Sequence, residues 1–140
     1  MKPFDQDLYD ADDSAKHTVI DYLGRHDILA RVNPDPYGID LLADKDGEPY
    51  EIEVEVKHNW SGAEFPFTSL HYSARKTKFL NPNANVKFIT LNHEWTHAAI
   101  VDGDVLLNCK RVEKKTKYTD QESFIEVPVS KVRWVSIAIV

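Results

Sequence analysis

Tyr37-Gly-Ile-Asp40, followed after a short gap by Tyr50-Glu-Ile-Glu-Val-Glu-Val-Lys57, is the stretch on which the reading of this chain turns. Side chains alternate between the two faces of a strand, so Glu51, Glu53, Glu55 and Lys57 share one face, and Ile52, Val54 and Val56 take the other. Between the two segments lies Asp44-Lys-Asp-Gly-Glu-Pro49, and a tight turn centred on Asp46-Gly47 pairs them as an antiparallel hairpin. That register sets Asp40 opposite Glu53, with Glu55 as the diagonal neighbour at roughly 7 Å. Carboxylates crowded on one sheet face repel one another unless a positive charge sits among them. Several of them beside a lysine describe a site for a hard divalent cation. Mg²⁺ suits the donors best, with Mn²⁺ as its substitute, and no cysteine or histidine cluster adjoins the hairpin to favour zinc. The plain alternative is a half-exposed strand whose charged face is only solvated.

The order Asp40, turn, then Glu55-Val56-Lys57 closing an apolar strand resembles the signature of the PD-(D/E)xK nuclease superfamily, in the branch of restriction-type endonucleases and archaeal-type Holliday junction resolvases. The resemblance spans roughly residues 13 to 107. It implies that Asp40 and Glu55 bind the metal, that the Val56 carbonyl completes the shell, and that Lys57 orients or activates the attacking water. Glu53 is a further candidate ligand of lesser weight. Ile39 stands before Asp40 where the signature has proline. The family also leads one to expect an acidic residue on a helix ahead of the hairpin. Asp13-Ser-Ala-Lys-His-Thr-Val-Ile-Asp-Tyr-Leu-Gly24 reads as that helix, with Ala15, Val19, Tyr22 and Leu23 at helical spacing and Gly24 as its C-cap. Asp12 and Asp13 are then either N-caps or, for Asp13, a supplementary metal ligand.

Downstream, Phe67–Leu80 reads as a second helix begun at Thr68 or Ser69 and ended by Asn81-Pro82-Asn83. It carries Arg75, Lys76 and Lys78 near its C-terminal end. Cations there complement the helix dipole, and three within four residues exceed that need, which points to contact with nucleic-acid phosphates. The formal net charge of −6 speaks against such a partner, but the charge is uneven. Residues 1–56 carry fifteen acidic and five basic side chains, whereas residues 57–140 carry eight acidic and twelve basic.

His93-Glu-Trp-Thr-His97 spells HExxH, which on a helix sets two imidazoles on one face for zinc, with the glutamate as general base of a metallopeptidase. Its flanks disagree with a helix. Val86-Lys-Phe-Ile-Thr-Leu91 alternates and is rich in strand formers, and Ala98-Ala-Ile-Val101 is a short apolar run, so two strands around a polar turn fit better.

The single cysteine, Cys109, excludes an intrachain disulfide and points to a reducing compartment, with a buried or idle thiol as its role. Met1-Lys-Pro-Phe-Asp is unlike a secretory start, so a cytoplasmic protein is expected. Trp60 is expected to pack in the core, and Lys110–Lys117 to form a basic loop or strand end. With 42% hydrophobic residues, the chain of 140 residues is expected to be one α/β domain, a central mixed β-sheet flanked by helices, built on a restriction-endonuclease-like core. Strands are expected near 28–33, 38–43, 49–57, 86–91, 97–101, 105–107 after a turn at Asp102-Gly103-Asp104, and 132–140. The implied activity is Mg²⁺-dependent hydrolysis of DNA phosphodiester bonds, with a homodimer as the form that double-strand cutting or junction resolution requires. The contrasting reading is a nucleic-acid-binding or assembly module that keeps the fold without the chemistry.

Overall fold

The hairpin forms in the expected register. The structure, a computed structural model, describes residues 6–116 and 121–138. Strand β1 (Leu29–Val32) pairs antiparallel with β2 (Leu41–Lys45), and β2 with β3 (Glu48–Val56). Lys45 faces Glu48 across a two-residue turn in which Asp46 and Gly47 have φ of 52° and 82°. Both central residues lie in the left-handed region, the turn geometry that matches the natural twist of a hairpin. Leu41 faces Ile52, which carries Asp40 to the level of Glu53.

Strand β5 (Asn85–Leu91) runs parallel to β3, then β6 (His97–Asp102) and β9 (Arg133–Ser136) add antiparallel, giving the mixed order β1-β2-β3-β5-β6-β9. Helix α1 (Gln6–Gly24) covers one face. Its Ala15, Val19 and Leu23, one turn apart, pack with Leu41, Ile52, Ile89 and Ile100. The other face is covered by a three-stranded antiparallel sheet, β4 (Ser69–Ser73), β8 (Glu122–Pro128) and β7 (Lys110–Lys114), in the order β4-β8-β7. Leu70, Tyr72, Ile125 and Val127 of that sheet meet Phe88, Ala99 and Val101 of the large one, with Trp60 buried in the same cluster as expected and Cys109 half-buried against it. Because both faces are covered, Phe88 to Leu91 of β5 are all buried. Tyr72 and Thr90, two polar side chains buried in this layer, satisfy each other through a hydroxyl hydrogen bond of 2.8 Å.

The mixed central sheet is as expected, but a long helix flanks only one of its faces, a second sheet covers the other, and several segments differ from expectation. Phe67–Leu80 is not one helix: its first half is β4, and only Ala74–Phe79 coils, as a 3₁₀ helix. Leu70 and Tyr72, buried two residues apart between half-exposed Ser69, His71 and Ser73, carry a period of two rather than of 3.6. Residues 103–107 form the short helix α2 (Gly103–Leu107) instead of a strand after a hairpin turn. A β-carbon at Gly103 would lie 2.7 Å from Leu80 Cδ2 and 3.3 Å from the Val86 carbonyl, so a side chain there would displace the end of Leu80 and press on the Val86 backbone. The last strand is confined to Arg133–Ser136, and the basic segment from Lys110 is the edge strand β7. The side chain of Asp12, Lys117 and the terminal Ile139-Val140 lie outside the described residues. Among the described residues no helix is long and apolar enough to cross a membrane.

Candidate active site

The carboxylate face of β3 points toward the three-stranded sheet, and the turn that follows β4 folds down over it. Glu53 is only 5% exposed. Its Oε1 accepts a hydrogen bond from the Asp40 backbone N–H at 3.3 Å, while Asp40 Oδ2 accepts one from the Val54 N–H at 2.9 Å. These reciprocal bonds clamp the two acids side by side at the end of the β2–β3 ladder. Two lysines from opposite layers neutralise them. Lys16 of α1 approaches Asp40 Oδ1 at 3.3 Å, and Lys76 of the 3₁₀ helix is ion-paired and hydrogen-bonded to Glu53 Oε2.

Burial raises the Glu53 carboxyl to about 7, and the neighbouring Asp40 charge pushes the same way while Lys76 opposes both. Burial works against the charge of Lys76, but Glu53, Glu55 and Asp40 more than compensate and hold its ammonium above the ordinary lysine value. Farther along the strand the Lys57 ammonium is depressed, chiefly by burial and also by Lys114, with Glu55 opposing. Its Nζ lies 5.9 Å from the centre of the Phe67 ring. Glu51, the third acid of the face, accepts a hydrogen bond from Asn81 Nδ2 at 2.6 Å.

The hairpin sets Asp40 against Glu53, as its register implies, and Glu55 lies farther along the same face, close enough to act on the charge of Lys76. Val56 ends β3 with its side chain packed on the α1 side. Asp13 lies inside α1, which begins at Gln6, so neither it nor Asp12 is an N-cap. Its carboxylate is exposed beside His17 at 3.9 Å, and the α1 side chain that reaches the acids is Lys16. Of the three expected phosphate contacts, Arg75 is exposed and 3.9 Å from Glu122, Lys78 lies 5.0 Å over the Phe79 ring, and Lys76 is turned inward onto Glu53. Sequence reading missed Lys16 and the Lys76–Glu53 pair. Position 16, next to buried Ala15 and about one turn before buried Val19 on the helix, was the available sign for Lys16.

Among the described residues no three His, Cys, Asp or Glu side chains converge as a ready cage for an ion. The donors present suit a hydrated ion instead. Mg²⁺ takes one or two carboxylates and keeps several waters, and Asp40 and Glu53 provide two adjacent acids, whose charge Lys16 and Lys76 balance in this structure.

The HExxH segment is a loop. Asn92, fully buried, accepts from the Thr96 and His97 N–H groups at 2.8 and 3.0 Å and donates to the Gly62 carbonyl at 3.0 Å, and Trp95 has φ of 61°. Glu94 accepts from the Gly62 N–H at 2.9 Å, His93 Nδ1 lies 3.2 Å from His58 Nδ1, and His97 bonds Thr96. The helical face that a zinc peptidase needs from this motif is absent. Changing His93 and His97 together to alanine is therefore expected to leave any bound zinc and any DNA cleavage within a few-fold of wild type. One zinc per chain by elemental analysis, lost in the double variant, would contradict this.

No protein-family model and no curated protein matches the sequence. The fold does have a solved counterpart. Hjc of Archaeoglobus fulgidus, a Holliday junction resolvase from an archaeal hyperthermophile, superposes with a TM-score of 0.57 at 14% identity, covering 86% of this chain and 85% of that one. The chain has the fold of that protein, a mixed six-stranded sheet with a second, smaller sheet.

Proposed function

We propose that this protein is a metal-dependent endonuclease that hydrolyses DNA phosphodiester bonds. The observation that carries this reading is the Asp40–Glu53 pair, held by reciprocal backbone hydrogen bonds with a lysine ammonium against it, at the strand ends of a fold shared with a junction resolvase. Asp40 and Glu53 would hold Mg²⁺ or Mn²⁺, with Glu55 adding negative charge beside them. When bound, such an ion supplies Lewis acidity toward the scissile phosphate and lowers the pKa of a coordinated water. The chain itself keeps the carboxylates in place before substrate arrives, and it presents an ammonium to charge that grows on the phosphate oxygens. One water is consumed. Its oxygen forms the new bond to phosphorus, the bond from phosphorus to the 3′ oxygen breaks, and one water proton ends on that oxygen, leaving a 5′-phosphate and a 3′-hydroxyl.

A panel of linear, flapped and four-way branched DNAs, incubated with Mg²⁺, Mn²⁺ or chelator, tests the reading. Cleavage that requires the metal supports it. DNA binding without cleavage of any substrate in either metal would favour the binding-module alternative. Cutting both strands of a duplex or a junction symmetrically would require a two-fold dimer, which light scattering of the protein with DNA would detect.

Arg75 and Lys78 remain candidates for phosphate contacts. Binding measured in Ca²⁺ separates affinity from turnover. Each contact removed by alanine substitution should weaken binding to all sequences alike and flatten the slope of log affinity against log salt by about 0.9 on duplex DNA. An unchanged slope in the double variant would take this turn off the DNA-binding surface.

A further inference from the structure

We infer that Lys76, from outside the strand signature, is the lysine of the reacting centre, and that Lys57 instead grips a flanking phosphate; this rests on the nuclease reading above. The strand register drives the assignment. Asp40 meets Glu53, and the next residue on the same face is another acid, Glu55, so a lysine two positions beyond the paired acid is missing. Lys57 comes two positions later still, about 13 Å along the strand from Glu53 at ~3.3 Å per residue. Its side chain lies over Phe67 and lines an open groove with Asn59, Thr68, His71, Lys114 and Glu126, whose carboxylate is engaged by His71 and Lys110. Two lysines and a hydroxyl around an open groove suit the passage of a phosphate backbone.

Lys76 occupies the place that Lys57 leaves empty. The 3₁₀ helix that bears it is fastened by Thr77 Oγ1 donating to the Ala74 carbonyl at 2.9 Å and by the Leu80 N–H donating to the Thr77 carbonyl at 3.1 Å. It crosses from β4 onto the acid face of β3 and delivers the ammonium to Glu53 Oε2, with Asp40 and Glu55 close enough to act on its charge. The side chain is 28% exposed, so solvent and substrate reach it. An ammonium has three donors, and Glu53 takes one of them. Those left over can orient the attacking water and hold a non-bridging phosphate oxygen, and Lys76 keeps its proton throughout.

The competing role for Lys76 is that of a counter-ion which only balances the acids until a metal arrives. Single-turnover cleavage by wild type, Lys76→Met, Lys76→Gln and Lys57→Met separates the two, with DNA affinity in Ca²⁺, Mg²⁺ binding by calorimetry and thermal melts measured in parallel. The inference expects the Lys76 variants to lose about a hundredfold or more in the cleavage step, the scale of one positioned charge donor, with affinity nearly unchanged. Lys57→Met should instead weaken binding and flatten the salt slope by about 0.9, with the cleavage step lowered far less. Lys76→Gln keeps a donor for Glu53, so it carries the same expectation if Lys76→Met does not fold. Lys76 variants that cleave nearly as fast as wild type and bind Mg²⁺ more tightly would overturn the inference and leave the nuclease reading standing. So would a cleavage step lost in Lys57→Met and kept in Lys76→Gln. Wild-type protein that cuts no substrate in either metal would overturn the nuclease reading and this inference with it.

Discussion

Asp40→Asn or Glu53→Gln is expected to lower DNA cleavage at least about a thousandfold, the ~4 kcal/mol of transition-state stabilisation that a bound metal can supply. Either isosteric change removes one of the two touching carboxylates while keeping a hydrogen-bonding side chain in the clamp between Asp40 and Val54. Glu55→Gln should cost less, because Glu55 is the diagonal neighbour and acts through its charge. Folding is expected to survive. Each substitution relieves repulsion between the acids but also takes the ion-pair partner from Lys16 or Lys76, so the metal-free melting temperature should change little. Cleavage rates in Mg²⁺ are compared beside melting curves. Two folded variants that cut within about tenfold of wild type would place the metal elsewhere.

The second large effect is on stability against pH. Glu53 is almost wholly buried, and its carboxyl is raised from 4.5 to about 7, mainly by burial. A carboxyl raised on folding binds a proton in the folded state that the unfolded state has released. Its stabilising contribution is therefore complete below pH 4.5 and is lost as pH rises through about 7. Metal-free wild type should thus lose on the order of 1 to 3 kcal/mol between pH 5.5 and 8 relative to Glu53→Gln, which cannot titrate at this position. Denaturant titrations of both proteins across that range provide the measurement, and the difference cancels the shared histidines. Added Mg²⁺ should stabilise wild type more at pH 8 than at pH 5.5, because the ion binds the ionised acid. Parallel stability curves for the two proteins would show that Lys76 already holds Glu53 ionised throughout the range.

Local chemistry alone determined a good part of this protein. Asp46-Gly47 specifies a two-residue turn because both positions need positive φ, and with the period-two alternation of β3 this fixes the register that brings Asp40 to Glu53. The helical spacing of Ala15, Val19 and Leu23 specifies the buried face of α1, and strand formers on both sides of residues 92–96 make HExxH a turn. Tertiary structure decided the rest. Residues 67–80 hold a period-two signal over only Ser69–Ser73, followed by good helix formers, and a window that short fits either structure until β8 supplies a hydrogen-bonding edge. Pairing of β4 with β8 is in turn what aims the 3₁₀ helix at β3. A lysine 23 residues from Glu53 in sequence thereby becomes its ion-pair partner, and no spacing rule links two positions joined only by the packing of one sheet on another. Gly103 is similar: the residues that crowd it, Leu80 and Val86, are distant in sequence and come against it only when the core closes.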